Sequence, residues 1–399
     1  MPAEVHQDAV AMSGELAELR HAIHREPEIG LDLPRTQEKV LAALGGLPLE
    51  ITRGRGLSSV TAVLRGGKPG ATVLLRGDMD ALPVTERTGL PYSSQIDGAM
   101  HACGHDLHTA MLAGAARLLS ARQQEIAGNV IFMFQPGEEG YAGARQMISE
   151  GVLDAAGGRP VAAFGLHVAS AQLPQGVFST KAGTMMAAAD VFEVVVHGHG
   201  GHASQPHRAA DPIPVACEIV TALQTMVTRQ FDVFDPVVLT IASFHAGTTD
   251  NVIPDEAMLR GSLRTFSAET RTHAMDRAVR LVRETAAAHG LTATAGFPTG
   301  YPVTVNDIDE VSFAQRTVTD VVGSARCLTQ PFPLTGAEDF SFVLDQVPGA
   351  FIMLGACPQG TDPAVAPFNH SAEAAFDDSV LGDGAALYAE LALRRLAAG

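Results

Sequence analysis

The chain has 399 residues, of which 46% are hydrophobic and 18% charged, and its formal net charge is −17. These proportions are those of an ordinary globular protein, and the length predicts two domains because a domain usually holds about 100 to 200 residues. An acidic chain without a basic patch is poorly suited to nucleic acid or to an anionic membrane surface. Neither is therefore expected as a partner.

The beginning of the chain matches neither a signal peptide nor a membrane span. Residues 1–27 mix charged and apolar side chains at helical spacing, and the purely apolar stretches elsewhere are far shorter than the ~20 residues of a membrane helix. We therefore expect a cytoplasmic protein. Of the four cysteines, which lack paired spacing, three are predicted to be buried free thiols: Cys217, Cys327 and Cys357.

Short apolar runs that alternate with helical segments predict an α/β domain in the outer parts of the chain. Such runs are typical of parallel strands, which are covered on both faces. The predicted strands are 71–76, 129–135, 161–166 and 350–355, and the helices between them include 109–122 and 142–150. The fold class is therefore α/β, with a doubly wound and mainly parallel sheet.

The middle of the chain has a different order of elements, β-α-β-β-α-β, which is the split βαβ arrangement of a ferredoxin-like domain. Joints rich in glycine and proline bracket it and are typical of hinges. Its predicted elements are strand 190–196, helix 213–229, strands 236–244 and 257–266, helix 269–289 and strand 291–297. We therefore predict an outer domain, formed by 1–182 and 299–399, that is interrupted by an inserted α+β domain at 183–298.

Polar side chains follow three of the predicted strands of the outer domain. Asp78 and Asp80 follow the first strand, Glu138 and Glu139 the second, and His167 the third. Open α/β sheets bind their ligands at this edge. Taken alone, the two aspartates could cap the next segment and the adjacent glutamates could be a solvated pair. Their shared position at the strand ends favours a functional site.

A second cluster, His-Ala-Cys-Gly-His, contains Cys103 and His105 on a glycine-containing loop that leads into a predicted helix. By itself it could be a loop with incidental polar residues. Thiolate, imidazole and carboxylate together form a ligand set for borderline divalent metals, and a spare glutamate beside them can serve as a base. His370, late in the chain, has no special local pattern.

Six motifs resemble, in order and spacing, the aminoacylase and carboxypeptidase family of di-metal hydrolases, peptidase family M20. They are RGDMDALP at 76–83, MHACGHD at 100–106, QPGEEG at 135–140, GLH at 165–167, GGHAS at 200–204 and GAEDF at 336–340. The subgroup is that of hippurate hydrolases, auxin-conjugate hydrolases and N-acyl-amino-acid amidohydrolases. The resemblance implies a catalytic domain interrupted by a ferredoxin-like domain that serves as a lid and in dimerisation.

The resemblance also implies two divalent metal ions per subunit. The implied ligands are Cys103, His105, Glu139, His167 and His370. Cys103 stands where many relatives have a bridging aspartate, so its thiolate is expected to bridge the two ions. His105 and His167 would then bind one ion, and Glu139 and His370 the other. Sulfur and imidazole ligands favour Zn²⁺, while Mn²⁺, Co²⁺ and Ni²⁺ remain alternative metals for the site.

By the same resemblance Glu138 is the general base that activates a water molecule and returns its proton to the leaving amine. Asp80 corresponds to an aspartate that orients a ligand, and Asp78 is expected to stay out of contact with metal. His202 is implied to stabilise the developing oxyanion in the partner subunit's active site, and Asn251 to bind substrate. These two assignments imply a homodimer, or a tetramer built from it.

We therefore expect an amidohydrolase that cleaves small N-acyl amino acids, such as N-benzoylglycine or N-acetyl amino acids, into a carboxylic acid and a free amino acid. The alternative enzyme is a dipeptidase or carboxypeptidase of the same family with the same water chemistry. A binding or assembly protein with a dead metal site is a third hypothesis. The presence of Glu138 argues against it, because a purely structural metal site needs no base beside its ligands.

Overall fold

The structure is a computed structural model that describes residues 2–398. The chain forms two compact units. The first contains the residues up to Met185, residues 305–332 and the residues from Asp339 onward. The second contains residues 186–304 and 333–338. Among the described residues, no helix combines the length and the apolar character that crossing a bilayer requires.

The chain before the second unit alternates helices and strands. Its helices are α1 (Pro2–Ala11), α2 (Ser13–His24), α3 (Pro34–Ala43), α4 (His105–Ser120), α5 (Glu138–Tyr141) and α6 (Gly143–Ser149). Its strands are β1 (Leu49–Arg53), β2 (Val60–Arg65), β3 (Lys68–Asp78), β4 (Ala127–Gln135), β5 (Ala162–Ala169), β6 (Phe178–Thr180) and β7 (Gly183–Met186). The interior strands are rich in β-branched, leucine and phenylalanine residues; residues 130–135 of β4, for example, are all buried.

The second unit is an antiparallel sheet covered by two helices. Its elements are β8 (Ala188–His197), β9 (Gly201–His202), α7 (Pro212–Gln230), β10 (Val238–Ala246), β11 (Val252–Ile253), β12 (Glu256–Thr265), α8 (Ala268–Ala288), β13 (Thr292–Gly296) and β14 (Gly300–Tyr301). The strand order is β10-β12-β8-β13, and β14 also pairs with β8. Along β12, buried Ala257 and Leu259 alternate with exposed Met258 and Arg260, because the helices cover one face of the sheet.

The chain then completes the first unit. Its last elements are β15 (Thr304–Asn306), α9 (Ile308–Val322), β16 (Cys327–Thr329), α10 (Ser341–Leu344), β17 (Gly349–Gly355) and α11 (Val380–Ala397). The large sheet has eight strands in the order β1-β2-β4-β3-β5-β17-β6-β16. Its centre, β4-β3-β5-β17, is parallel, while β1, β2 and β6 add antiparallel pairs. The predicted α/β class with a mostly parallel sheet is thus confirmed.

Helix α4 lies in the middle of the first unit and carries part of the site at its N-terminus. It packs against β3, α2 and α11, so nearly all of its side chains are buried. This burial on every side explains why its sequence is rich in alanine and leucine and lacks the polar face of a surface helix. The N-terminus of α4 is consequently held in place by the core.

Several predictions from the sequence were wrong. The third strand was expected to end at Leu166 with His167 after it, but β5 continues to Ala169 because its backbone pairs with β17 over that length, placing His167 opposite Met353. Cys217 was expected to be buried and is exposed, and Cys327, also expected to be buried, is only partly buried, whereas Cys357 is buried as expected. The buried stripe of α7 passes through Ala216 and Ile219, and a residue one step after Ala216 is turned about 100° away from that stripe.

Candidate metal centre

The candidate site lies at the carboxyl end of the parallel strands. Asp78 is the last residue of β3. Glu138 begins α5, directly after the Pro-Gly turn that follows β4. His167 lies near the end of β5. Since β4, β3 and β5 are neighbours in this order, their ends bring these side chains to one edge of the sheet, the usual location of ligand sites in such folds.

Cys103 and His105 flank a glycine that the local structure requires. Gly104 precedes α4 with φ of 85°, a left-handed conformation that side chains disfavour. A Cβ at this position would lie 2.3 Å from Cγ2 of Val168. The close approach brings the Cys103 loop against β5, and Sγ of Cys103 lies 3.4 Å from Nε2 of His167.

The five predicted ligands form two groups that share the sulfur of Cys103. Each group could hold a metal ion, since its potential ligand atoms all lie within 4.8 Å of one another. In the first group the sulfur is joined by His105 and His167, and in the second by Glu139 and His370. Nε2 of His370 lies 3.1 Å from a carboxylate oxygen of Glu139. A soft donor, imidazoles and a carboxylate at these distances fit borderline divalent cations.

Hydrogen bonds orient two of the imidazoles toward this cluster. Nδ1 of His105 donates to the carbonyl of Asp80 (2.8 Å) and Nδ1 of His167 to the carbonyl of Val168 (2.8 Å). A carbonyl can only accept, so Nδ1 carries a proton in both rings, and Nε2 is the nitrogen that has a lone pair to offer whenever the ring is neutral. Nε2 of His105 is buried and makes no hydrogen bond to any described residue. A buried lone pair without a donor fits a metal ligand whose other nitrogen is held by the backbone.

Asp80 forms hydrogen bonds to Glu138, Glu139 and His105. One carboxylate oxygen accepts from the backbone N–H of Glu138 and the other from that of Glu139, both at 3.0 Å. Its backbone carbonyl holds His105. The side chains of the two glutamates then diverge: Oε1 of Glu138 accepts from the backbone of Asp339 (3.3 Å), whereas Glu139 lies beside His370. Glu139 therefore faces His370 in the ligand cluster, and Glu138 lies at the edge of the cluster, with a carboxylate oxygen within 4.8 Å of potential ligand atoms of His105 and Glu139.

Behind the cluster lies a buried ion network that sequence reasoning missed. Arg76, fully buried, contacts Asp78 (Nη1 to Oδ2, 2.8 Å) and Asp339 (Nη2 to Oδ1, 3.1 Å). His108 donates to Asp78 from Nδ1 (2.5 Å) and accepts from the backbone of Val168 at Nε2 (2.8 Å). The signal for His108 was its place three residues after His105, on the same face of α4. Asp78 is thus engaged by its neighbours in the protein.

The electrostatics of the cluster are those of an anionic pocket. Hydrogen bonds that His370 donates to Cys103 and Glu139 raise the pKa of its imidazole to about 10. Burial opposes a charge on His105 and is the largest single effect, yet the Asp78 carboxylate together with the interactions with Asp80 and Cys103 outweighs it and raises the pKa of His105 well above its usual value. Burial and the neighbouring His108 push the pKa of His167 well below its usual value. The negative groups attract positive charge to this point, which a divalent cation would supply when bound.

The two remaining predicted site residues belong to the second unit. His202 lies in β9 and is exposed, and its Nδ1 accepts from the backbone N–H (3.1 Å) and the hydroxyl (2.9 Å) of Ser204. Asn251 is exposed and precedes β11, where Val252 pairs with His202. The structure therefore brings His202 and Asn251 together, in a different unit from the other predicted residues.

The fold and the donor set define a metal-dependent hydrolase class, and comparisons with known proteins specify the family. The sequence pattern of Peptidase family M20/M25/M40 matches residues 74–394. The chain is 38% identical to thermostable carboxypeptidase 2 of Saccharolobus solfataricus over 98% of both chains. It is 35% identical to hippurate hydrolase of Campylobacter jejuni over 96% of this chain and 97% of that one.

A solved structure agrees with these relatives. A Bacillus subtilis protein described as a dinuclear metal-binding peptidase of the M20 family superposes with a TM-score of 0.80 at 32% identity, covering 97% of this chain and 99% of that chain. The protein belongs to Peptidase family M20/M25/M40. The family resemblance carried by the six sequence motifs is confirmed.

Proposed function

We propose that this protein is a metal-dependent amidohydrolase that cleaves N-acyl amino acids into a carboxylic acid and a free amino acid. The observation that carries the proposal is the position of Glu138 beside two potential metal-binding groups that share Cys103. The similarity to a hippurate hydrolase supports a substrate with an aromatic acyl group, such as N-benzoylglycine. N-acetyl amino acids belong to the same substrate class.

The five predicted ligand residues would hold two divalent metal ions. Cys103, His105 and His167 would hold the first ion, and Cys103, Glu139 and His370 would hold the second. Zn²⁺ suits sulfur and imidazole best, with Mn²⁺, Co²⁺ and Ni²⁺ as alternatives. When bound, such ions supply Lewis-acid chemistry, which acidifies water and polarises an amide carbonyl.

Glu138 is proposed to transfer the proton during hydrolysis. The carboxylate of Glu138 takes a proton from water as the water oxygen forms a bond to the amide carbon. It returns this proton to the amide nitrogen as the carbon–nitrogen bond breaks, so a carboxylic acid and an amine are released. Asp80 holds the backbone of Glu138 and Glu139 through its two carboxylate oxygens and thereby positions both the base and a ligand.

The inserted domain, residues 183–298, is proposed to be a ferredoxin-like lid and dimerisation domain within a catalytic domain formed by 1–182 and 299–399. The β-α-β-β-α-β order and the four-stranded antiparallel core of its sheet support this description. His202 would stabilise the developing oxyanion in the active site of the partner subunit. Asn251, one residue before the partner of His202 in β11, would contact the substrate.

A carboxypeptidase or dipeptidase activity is the second candidate, because of the 38% identity to a thermostable carboxypeptidase. It uses the same residues, so only the substrate distinguishes the two. Purified enzyme should be assayed with benzoyl-, acetyl- and fatty-acyl amino acids and with unblocked dipeptides. The proposal expects the highest kcat/KM on an acylated amino acid. If unblocked dipeptides are cleaved with a higher kcat/KM than every acylated substrate, the carboxypeptidase or dipeptidase alternative replaces it.

Replacing Cys103 with serine should lower the metal content or metal affinity, because a serine hydroxyl does not ionise to an anionic ligand as a thiol does. Metal analysis after dialysis and a competition titration measure the effect. Cys217→Ser, at the exposed cysteine of α7, is the matched control and should bind metal like the wild type. Trapping of an acyl group on Cys103 would contradict this role, since it would make the residue a nucleophile.

Mixing two inactive variants should restore activity if His202 acts in the partner's site. Glu138→Gln lacks the base and His202→Ala lacks the oxyanion donor. A heterodimer of the two contains one site with an intact Glu138 and an intact His202 from the partner subunit. Subunits are mixed, heterodimers are isolated with two affinity tags, and turnover is measured. Isolated heterodimers without activity, or a fully active monomer, would show that His202 does not act across an interface.

A further inference from the structure

We propose that Asn369 is a positioning residue for the metal centre: its side-chain amide joins the Cys103 loop to the end of β5 and donates a hydrogen bond to the Cys103 sulfur. It would thereby fix the arrangement of the ligands and tune how strongly the shared thiolate donates to metal. The inference rests on the proposed function, because it takes Cys103 as a ligand.

The amide of Asn369 uses both of its ends. Nδ2 donates to the carbonyls of Cys103 (3.1 Å) and Val168 (3.0 Å), and, since the amide has two hydrogens, the N–H that faces Cys103 is shared between its carbonyl and its Sγ, which lies 3.8 Å away. Oδ1 accepts from the backbone N–H (2.9 Å) and the hydroxyl (3.0 Å) of Ser170. Two carbonyls on one side and a backbone N–H on the other allow a single amide orientation.

These contacts reach three segments that carry ligands. Cys103 is itself a ligand, Val168 follows His167, and His370 comes directly after Asn369. The backbone N–H of His370 donates to the carbonyl of Ala102 (2.8 Å). His370 has φ of 73°, a left-handed conformation that is strained for a non-glycine residue and persists only when surrounding contacts enforce it. The bonds of Asn369 are contacts of that kind.

A local structural role alone does not account for this pattern. Asparagine in a loop usually bonds to backbone groups a few residues away and so shapes its own turn. The partners of Asn369 are instead separated from it in sequence by 266, 201 and 199 residues. Ser170, in contrast, anchors the loop separately through its hydroxyl, which also donates to the carbonyl of Pro367 (2.9 Å).

The hydrogen bond donated by Nδ2 should change the energy of the sulfur-to-metal charge-transfer transition. A hydrogen bond to a thiolate ligand stabilises the negative charge on sulfur and weakens its donation to metal, in the same way that such bonds tune iron–sulfur sites. Loss of the donor therefore lowers the energy of the sulfur-to-metal charge-transfer transition. Loss of the positioning bonds also weakens metal affinity, by about 10- to 100-fold for typical partners of this kind.

The test uses full-length protein loaded with Co²⁺, whose thiolate charge-transfer band reports on Cys103 without any turnover. Asn369→Asp keeps the size of the side chain and the acceptor for Ser170 but lacks the donor. Asn369→Leu lacks both and serves as the second variant if the first does not fold. Ser170→Ala is the matched control, because it removes a partner of Oδ1 and leaves Nδ2 in place.

We expect the band of the folded Asn369 variant to move to longer wavelength and its Kd for Co²⁺ to rise about 10-fold or more, while Ser170→Ala keeps the wild-type band position. An unchanged band and a Kd within twofold of wild type in a folded variant would overturn the inference. A wild-type band that persists in Cys103→Ser would instead overturn the proposed thiolate ligand. The two failures are therefore distinguishable.

Discussion

Glu138→Gln should reduce kcat by about 10² to 10⁴-fold, the usual contribution of a general base, while metal content stays at the wild-type level. Glutamine has nearly the same size as glutamate and preserves the backbone bond to Asp80, but it cannot accept the proton from water. The measurement pairs steady-state kinetics on the best N-acyl amino acid with metal analysis of the same preparation.

Two further variants serve as comparisons for the Glu138→Gln result. Glu139→Gln should lose metal as well as activity, since Glu139 lies against His370 in the second ligand group. Glu15→Gln, at an exposed surface ion pair with Arg117, should leave both quantities unchanged. If Glu138→Gln, with its full metal content, turns over at a rate close to wild type, the residue is not the base and the proposed proton transfer is wrong.

Arg76→Met should lower the free energy of unfolding by about 3 to 5 kcal/mol, because removal of one partner from a buried ion network leaves the other charges uncompensated. Arg76, Asp78 and Asp339 are all fully buried. The Arg76 guanidinium also donates to Gln135 (2.9 Å). Methionine fills a similar volume, so the loss reports mainly on charge and hydrogen bonding.

Urea unfolding, followed by circular dichroism, measures this effect. Arg53→Met is the control: Arg53 pairs with Glu38 at 2.6 Å, but both side chains are more than half exposed. Exposed pairs contribute about 0 to 1 kcal/mol. An unfolding free energy for Arg76→Met that matches the Arg53 control would mean that the buried network does not stabilise the fold.

Local patterns predicted most of the central architecture. The apolar runs at 129–135 and 350–355 became β4 and β17, and the helix predicted at 269–289 became α8. Strands with weaker patterns were not predicted. All but one residue of β1, for example, are exposed, and its structure depends on antiparallel pairing with β2, a contact that no short sequence window records.

The candidate site was predictable to the extent that its residues have distinctive chemistry. Cys103, His105 and Glu139 stood out because metal-binding side chains cluster in sequence. Asn369 and the Arg76–Asp339 pair did not, since an asparagine beside a histidine and an arginine in a strand have no local signature. Their partners lie 266 and 263 residues away along the chain, so their roles follow only from the folded arrangement.

Removal and return of metal tests the central claim most directly. The protein is treated with a chelator, its metal content is measured by mass spectrometry, and hydrolysis of the best N-acyl amino acid is followed as Zn²⁺, Mn²⁺, Co²⁺ or Ni²⁺ is added back. We predict that the stripped protein is inactive and that activity returns as the metal content approaches two ions per chain. Full activity in protein shown to be free of metal would contradict the account.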